Sequence, residues 1–325
     1  MDRSPSHLRG IDSRTEHKGL SDPLHRRRAT ASGLSQRLRD AMNHLRVLPR
    51  RILLETPGVP ATVPMLRGVW GAALHDLDPR VYETVFHPQV AGGTEASPCY
   101  VIRPAPPDPN FAPAMEWLTF GAAIDHDATL QRAWDIASGM GLGPERRRFH
   151  LRRVLTLSPA GDAIPSKELG GSESALLSAW PLSAAAWPLV SPDTTPCRIA
   201  FHAPVRMIRR GALIEEPNLC DVVVGITRRI AAFLRADLQD EWRPLSREAL
   251  ELARSTPCGV WRGGRLDLHR YSAAQQAELD LRGVNGSFDL PRGPGELWPL
   301  LAAAQWLHVG KGTIVGLGQL SIEVL

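Results

Sequence analysis

Cysteine is scarce. Cys99, Cys197, Cys220 and Cys258 are widely scattered, with no Cys-x-x-Cys pair and no histidine at metal-finger spacing. This argues against a disulfide framework and against a structural zinc site. No run approaches the roughly 18 consecutive apolar residues that a membrane helix needs, and the Arg-rich start lacks the apolar stretch of a signal peptide. The expectation is a cytoplasmic protein with no membrane partner. Aromatics other than tryptophan are few, with 3 Tyr and 7 Phe, so no aromatic strip of the kind found in RNA-recognition sheets can be drawn. Of the 9 tryptophans, Trp70, Trp134, Trp298 and Trp306 fall on apolar helix faces and read as core. Lysine is nearly absent: only Lys18, Lys167 and Lys311 stand among 38 Lys+Arg, so a lysine in a special place is noticeable.

What is present is an ordinary globular composition, 43% hydrophobic and 22% charged over 325 residues, long enough for two domains. The charge is uneven. Residues 1–50 carry 11 Lys+Arg against 5 Asp+Glu, and the rest of the chain is slightly acidic. A basic segment of this kind suits a polyphosphate partner, because each neutralised phosphate releases counterions.

Four segments order the chain: a basic extension over 1–45, expected to be partly disordered; a first domain over 46–158; a linker or insertion over 159–195; and a second domain over 196–325. Residues 1–32 lack apolar periodicity, whereas 33–44 place Leu34, Leu38 and Ala41 on one helical face. In the first domain, strands are expected at 46–55, 98–104, 116–125 and 146–158, and helices at 65–77, with Thr62 as N-cap and Pro64 in the first turn, and at 128–140. The second domain repeats the pattern, with strands at 197–208, 259–272, 283–291 and 318–325, and helices at 221–238, 246–255 and 295–310. The order β, α, β, β, α, β in each gives an α+β fold of two tandem ferredoxin-like (βαββαβ) domains.

Residues 308–318 read HVGKGTIVGLG, with Gly310, Gly312, Gly316 and Gly318 between a helix end and the last strand. Lys311 is followed by glycine instead of Ser or Thr, and no helix follows, so neither a Walker A loop nor a dinucleotide fingerprint fits. The residues permit a loop that approaches a phosphate backbone, with Lys311 as a cation and exposed N–H groups as a nest. A phosphate-binding metabolic enzyme is a poorer reading, since no strand–loop–helix unit or acidic metal cluster accompanies the loop.

The segments 265–290 and 297–324 resemble the C-terminal region of the CRISPR repeat-processing endoribonucleases, the sixth Cas family of the RAMP superfamily. PMLRGVWGAAL (64–74) resembles that family's first-helix Leu-Arg-Gly signature, and GMGLGPERRRFHLRRV (139–154) its second glycine turn and following strand. The resemblance implies two ferredoxin-like domains, metal-independent cutting of CRISPR repeat RNA, and no cofactor. It also implies attack of a ribose 2′-hydroxyl on the adjacent phosphate, leaving 2′,3′-cyclic phosphate and 5′-hydroxyl ends, so RNA and not DNA is the substrate. Partners would be the repeat RNA or its crRNA product and other Cas effector-complex subunits. The alternative within the same superfamily is a non-catalytic subunit that binds crRNA in an effector complex.

This chemistry needs an acid, a base and cations around the phosphorane. The expected catalytic residues are His75, late in the first helix, and His308, before the glycine-rich loop, with Arg67 stabilising charge; His44 and His269 are weaker candidates. RNA contacts are assigned to Lys311, the loop glycines 310, 312, 316 and 318, the basic run Arg146, Arg147 and Arg148, and Arg265 with Arg270. No metal site is expected.

Overall fold

A computed structural model describes residues 33–56, 61–88, 97–105, 114–164, 178–187, 193–267, 269–272 and 277–325. The expected flexibility of 1–32, much of the 159–195 segment and the side chains of His269 and Arg270 lie outside the described residues.

The chain enters through α1 (Leu34–Met42) and then builds the first sheet. Its strands are β1 (Arg46–Glu55), β2 (Tyr100–Pro104), β3 (Ala114–Phe120) and β4 (His150–Leu157), extended by the short β5 (Ala163–Ile164) and β6 (Trp180–Pro181). The order is β2-β3-β1-β4-β5, with β6 also on β1, and every pairing is antiparallel. Between β1 and β2 run α2 (Val63–Leu77) and α3 (Pro79–Phe86); α4 (Asp127–Met140) joins β3 to β4. Each βαβ crossover leaves one strand position open, which the other crossover fills, giving the 4-1-3-2 order of a ferredoxin-like unit.

The second sheet has the order β10-β13-β7-β14, all antiparallel, from β7 (Cys197–Phe201), β10 (Arg262–Leu266), β13 (Gly283–Leu290) and β14 (Leu320–Val324). Helices α5 (Leu219–Phe233) and α6 (Ala236–Ser255) connect β7 to β10, and α7 (Trp298–Leu307) connects β13 to β14. That is the same topology again, so the α+β reading of two ferredoxin-like units holds. Two hairpins decorate it: β8 (Ile208–Arg209) with β9 (Ala212–Leu213), and β11 (His269–Ser272) with β12 (Ala277–Asp280).

Period-two alternation in β1 sets the layers. Ile52 and Leu54 face α2 and α4, in a core with Trp70, Trp117 and Trp134. Val47 faces the other way, with Leu118 and Phe120, into the core of the second unit. On that second face Arg51, Arg103 and Glu116 form one ionic cluster: Arg51 donates to Glu116 at 2.9 and 2.6 Å and Arg103 at 2.7 Å. Trp306 and Trp180 close the seam edge to face, 5.0 Å apart.

Several boundaries differ from the sequence reading, each for a local reason. The strand expected from 146 begins at His150, because Gly141, Gly143 and Arg146 all take positive φ and form a turn bridged between Leu142 and Arg147. The helix expected over 221–238 stops at Phe233, and Leu234 leaves helical dihedrals; α6 then starts ten residues before the expected 246. The helix α3 has no counterpart in the sequence reading. Its signal is Asp78-Pro79, where the Asp78 carboxylate accepts from the amides of Arg80 and Val81 and caps the new helix.

Candidate nucleic-acid interface and cleavage site

The loop at 308–318 is built to pack on the protein itself. Gly310, Gly312, Gly316 and Gly318 all have positive φ, which a side chain resists. A Cβ at Gly318 would sit 1.9 Å from the Val309 carbonyl oxygen, and one at Gly310 would sit 2.6 Å from that of Arg206. The amides of Lys311 and Gly318 donate to the carbonyls of Arg206 and Pro204 at 2.8 and 2.9 Å, and those of Val309, Val315, Gly316 and Leu317 are also spent inside the protein. The nest of exposed N–H groups expected here is therefore corrected: most of its donors are used, and the glycines serve close backbone approach. The Lys311 side chain points outward.

His308 lies on the inner side of the same loop. It is fully buried, and its Nδ1 donates to the Leu317 carbonyl at 3.0 Å. Burial, with the guanidinium of Arg103 and that of Arg229 adding to it against this hydrogen bond, holds its pKa well below the usual histidine value. The ring is a neutral strut between α7 and the loop, without access to a bound phosphodiester.

Lys311 instead opens onto a cavity of 550 Å³. Its walls bring together Arg206, Arg209, Arg210, Arg228, Arg229 and Lys311, with Ser97 of the first unit also in the lining. Among the described residues the only carboxylate in the lining, Asp221, is bound to Arg209 and caps α5 through the Asn218–Asp221 capping box. Among the described residues no acid pairs with Arg210, Arg228 or Lys311, all three of them exposed. Arg229 is held over the Phe233 ring at 5.1 Å and donates through Nε to the Leu307 carbonyl, yet its Nη2 is buried without a partner. Burial brings its pKa down to about 10. A cavity so rich in uncompensated cations favours a polyanion. Sequence reasoning missed it because its residues come from the turn at Arg210-Gly211 and from one exposed stripe of α5; only the positive φ of both turn residues gathers them.

Arg67 lies elsewhere, on α2, where its Nε donates to the Tyr100 hydroxyl at 2.9 Å and its guanidinium stacks 5.0 Å from the Phe86 ring. Burial, opposed by Arg67, raises the Tyr100 phenol. Gly71 permits this packing, since a Cβ there would meet Phe86 at 2.8 Å. Phe86 stacks on Tyr82 at 4.9 Å, and Tyr82 meets His75 edge to face at 5.2 Å. His75 is solvent-exposed beside Asp76. The structure thus joins Arg67 and His75 through one aromatic cluster, and adds Tyr82 and His87, which sequence reasoning missed although Tyr82 and Phe86 show i, i+4 spacing.

Of the remaining expected residues, the two glycine turns lie against α2. Gly316 abuts Val63 and Gly143 abuts Met65, so both glycine turns meet the start of α2. Arg146, Arg147 and Arg148 sit exposed in the turn that follows, with Arg147 paired to Glu145. His75, twelve residues beyond Val63, lies about 18 Å further along the helix. Arg265 is on β10, paired with Asp267 and Glu215.

The glycine loop joins a helix end to the last strand of the second sheet, and this is the stretch that decides the resemblance. Residues 199–320 match the family model of the CRISPR-associated endoribonuclease Cas6. The fold agrees. A Cas6 product complex superposes with a TM-score of 0.54 over 85% of this chain and 99% of the other, at 15% identity. Thermus thermophilus Cas6 superposes with a TM-score of 0.50 over 86% of this chain and 98% of the other, at 14% identity. A partial Cas6-RT-Cas1–Cas2 complex gives 0.51 at 12% identity, over 86% of this chain and 46% of the longer one. No curated protein matches in sequence. The chain therefore resembles Cas6 in sequence across the second unit and in fold across both. No helix among the described residues is long and apolar enough to cross a membrane.

Proposed function

We propose that the chain as a whole is a Cas6-type endoribonuclease that binds CRISPR repeat RNA and cuts it to crRNA. The observation that carries this reading is the cavity at the glycine loop, where Arg210, Arg228 and Lys311 line one concave surface with no acid among the described residues to neutralise them. A phosphodiester backbone supplies the missing charge.

Cutting requires no metal in this reading. The O2′–P bond forms as the P–O5′ bond breaks; a base receives the 2′-hydroxyl proton and an acid returns one to the 5′-oxygen, leaving 2′,3′-cyclic phosphate and 5′-hydroxyl ends. His75 is assigned to proton transfer, supported by its exposure to solvent, and Arg67 is the cation of the same cluster. His308 is assigned to holding the loop. Within the resemblance, crRNA and effector subunits are the expected partners.

The test is incubation of the purified chain in excess EDTA with a labelled repeat RNA, beside the same RNA carrying a single 2′-deoxy nucleotide at the cut. Cutting of the all-ribose RNA alone, with a cyclic-phosphate end, is the expected result. Tight binding with no cutting would replace the nuclease by a non-catalytic crRNA-binding subunit.

A further inference from the structure

The chemistry above moves two protons, one off the attacking oxygen and one onto the leaving oxygen, and in an in-line displacement these lie on opposite sides of phosphorus. One exposed histidine serves one side. The surface that carries His75 carries a second imidazole. Tyr82 meets the His75 ring at 5.2 Å and the His87 ring at 5.4 Å, with its hydroxyl 3.3 Å from His87 Nε2. Two imidazoles thus contact one tyrosine ring.

The row is mounted rigidly. His75 lies in the last turn of α2 and His87 caps the end of α3, and the bend between these helices is fixed by the Asp78 cap. Behind Tyr82 lie Phe86, then Tyr100 at 4.8 Å from Phe86, with Arg67 bridging both. Ser97, in the lining of the cationic cavity, is three residues before Tyr100, a span of at most about 10 Å, so one short segment joins the cavity to the aromatic cluster.

We propose that His87 is the second proton-transfer group of the cleavage site, acting with His75 as an acid–base pair, and that Tyr82 is the positioning residue that holds His87. This rests on the nuclease reading. Each imidazole starts in the opposite protonation state from its partner: the neutral one takes the 2′-hydroxyl proton and the charged one gives its proton to O5′, so the pair ends the turnover with its protonation states exchanged and one proton transfer through solvent restores them.

The experiment uses the full chain and two RNAs: the natural linkage, and a linkage with sulfur in place of the bridging 5′-oxygen. A thiolate, from a thiol of pKa about 8.5, leaves without protonation. Single-turnover rates at saturating enzyme are measured for His75→Ala, His87→Ala and His87→Asn, together with RNA affinity and thermal melting. The expected result is a loss of about 100-fold or more for each variant on the natural linkage, with affinity and melting unchanged. The sulfur linkage restores the variants at one of the two histidines and leaves the other impaired. Tyr82→Phe loses about tenfold and follows the His87 variants in its response to sulfur. The pair is overturned if His87→Ala, or His87→Asn alone, cuts the natural linkage within threefold of the wild type, or if sulfur restores both histidine variants or neither. Failure of the wild-type chain to cut at all would instead overturn the nuclease reading, and the pair with it.

Discussion

Arg103, on the edge strand of the first sheet, donates from Nη1 to the main-chain oxygen of Gln305 on α7 at 2.5 Å, so one guanidinium joins the two ferredoxin-like units. The same side chain stacks 4.9 Å from the Trp306 ring and binds Glu116. Glu116 is fully buried, and two arginines converge on it.

Removing that carboxylate leaves two guanidinium groups facing each other at the seam. Glu116→Ala is expected to destabilise the chain by about 3–5 kcal/mol. Chemical denaturation compares it with the Arg51→Ala, Glu116→Ala double variant, which relieves part of the repulsion and should lose less than the two single losses added together.

The loop glycines make a sharper contrast. Gly318→Ala drives a methyl group into the Val309 carbonyl, whereas Gly121→Ala, also at positive φ, meets nothing within 4 Å. Gly121→Ala should cost on the order of 1 kcal/mol from backbone strain alone. Gly318→Ala should cost clearly more and weaken RNA binding, because it displaces the loop from which Lys311 projects. Equal losses in melting and binding would contradict the packing role given to Gly318.

Salt titration separates the cavity from the rest of the basic surface. Lys311→Ala, Arg210→Ala and Arg228→Ala should each flatten the plot of log affinity against log salt, by about 0.7–0.9 for each phosphate that is no longer neutralised. Arg235→Ala, whose side chain is exposed but bound to Asp237, serves as the control and should leave the slope unchanged. An unaltered slope in the cavity variants would move the RNA elsewhere.

His308 links stability to pH. Its folded pKa lies below the unfolded value near 6.5, so the unfolded chain binds the extra proton as pH falls between the two. Its contribution is fully present above about 6.5 and declines below it, by at most about 1.4 kcal/mol per pH unit. Denaturation midpoints at pH 7.5 and 5.5 should converge in His308→Gln relative to the wild type. Cleavage at neutral pH should survive this substitution wherever the loop remains folded.

The sequence made much of the fold legible, because hydrophobic periodicity reports which face of each element is buried. β1 occupies the expected 46–55, and Trp70, Trp134 and Trp306 are in the core as their helical spacing implies. The site was less legible. His308 and Lys311 are three residues apart and look equally available in sequence, yet the positive φ of His308 and of Gly310 turns one inward and the other outward. His87 needed α3, which rests on a two-residue capping signal. The cavity needed a hairpin turn to meet a helix and a loop about a hundred residues away, and a linear pattern carries no record of such a meeting.

The helix α1 binds away from its neighbours in sequence. Leu34, Leu38 and Met42 are buried with Trp242, Ala249 and Leu301, Arg37 pairs with Glu248 at 2.5 Å, and the Ser35 amide donates to Glu296. During synthesis these apolar side chains leave the ribosome some two hundred residues before their partners, which at about 5–20 residues per second is a wait of on the order of ten to forty seconds. The first sheet is complete in strand order well before then. The polypeptide is thus threaded so that α1 completes its docking only after the second unit is made, and a nascent chain arrested after the first unit would carry α1 with its apolar face uncovered, a natural handle for a chaperone.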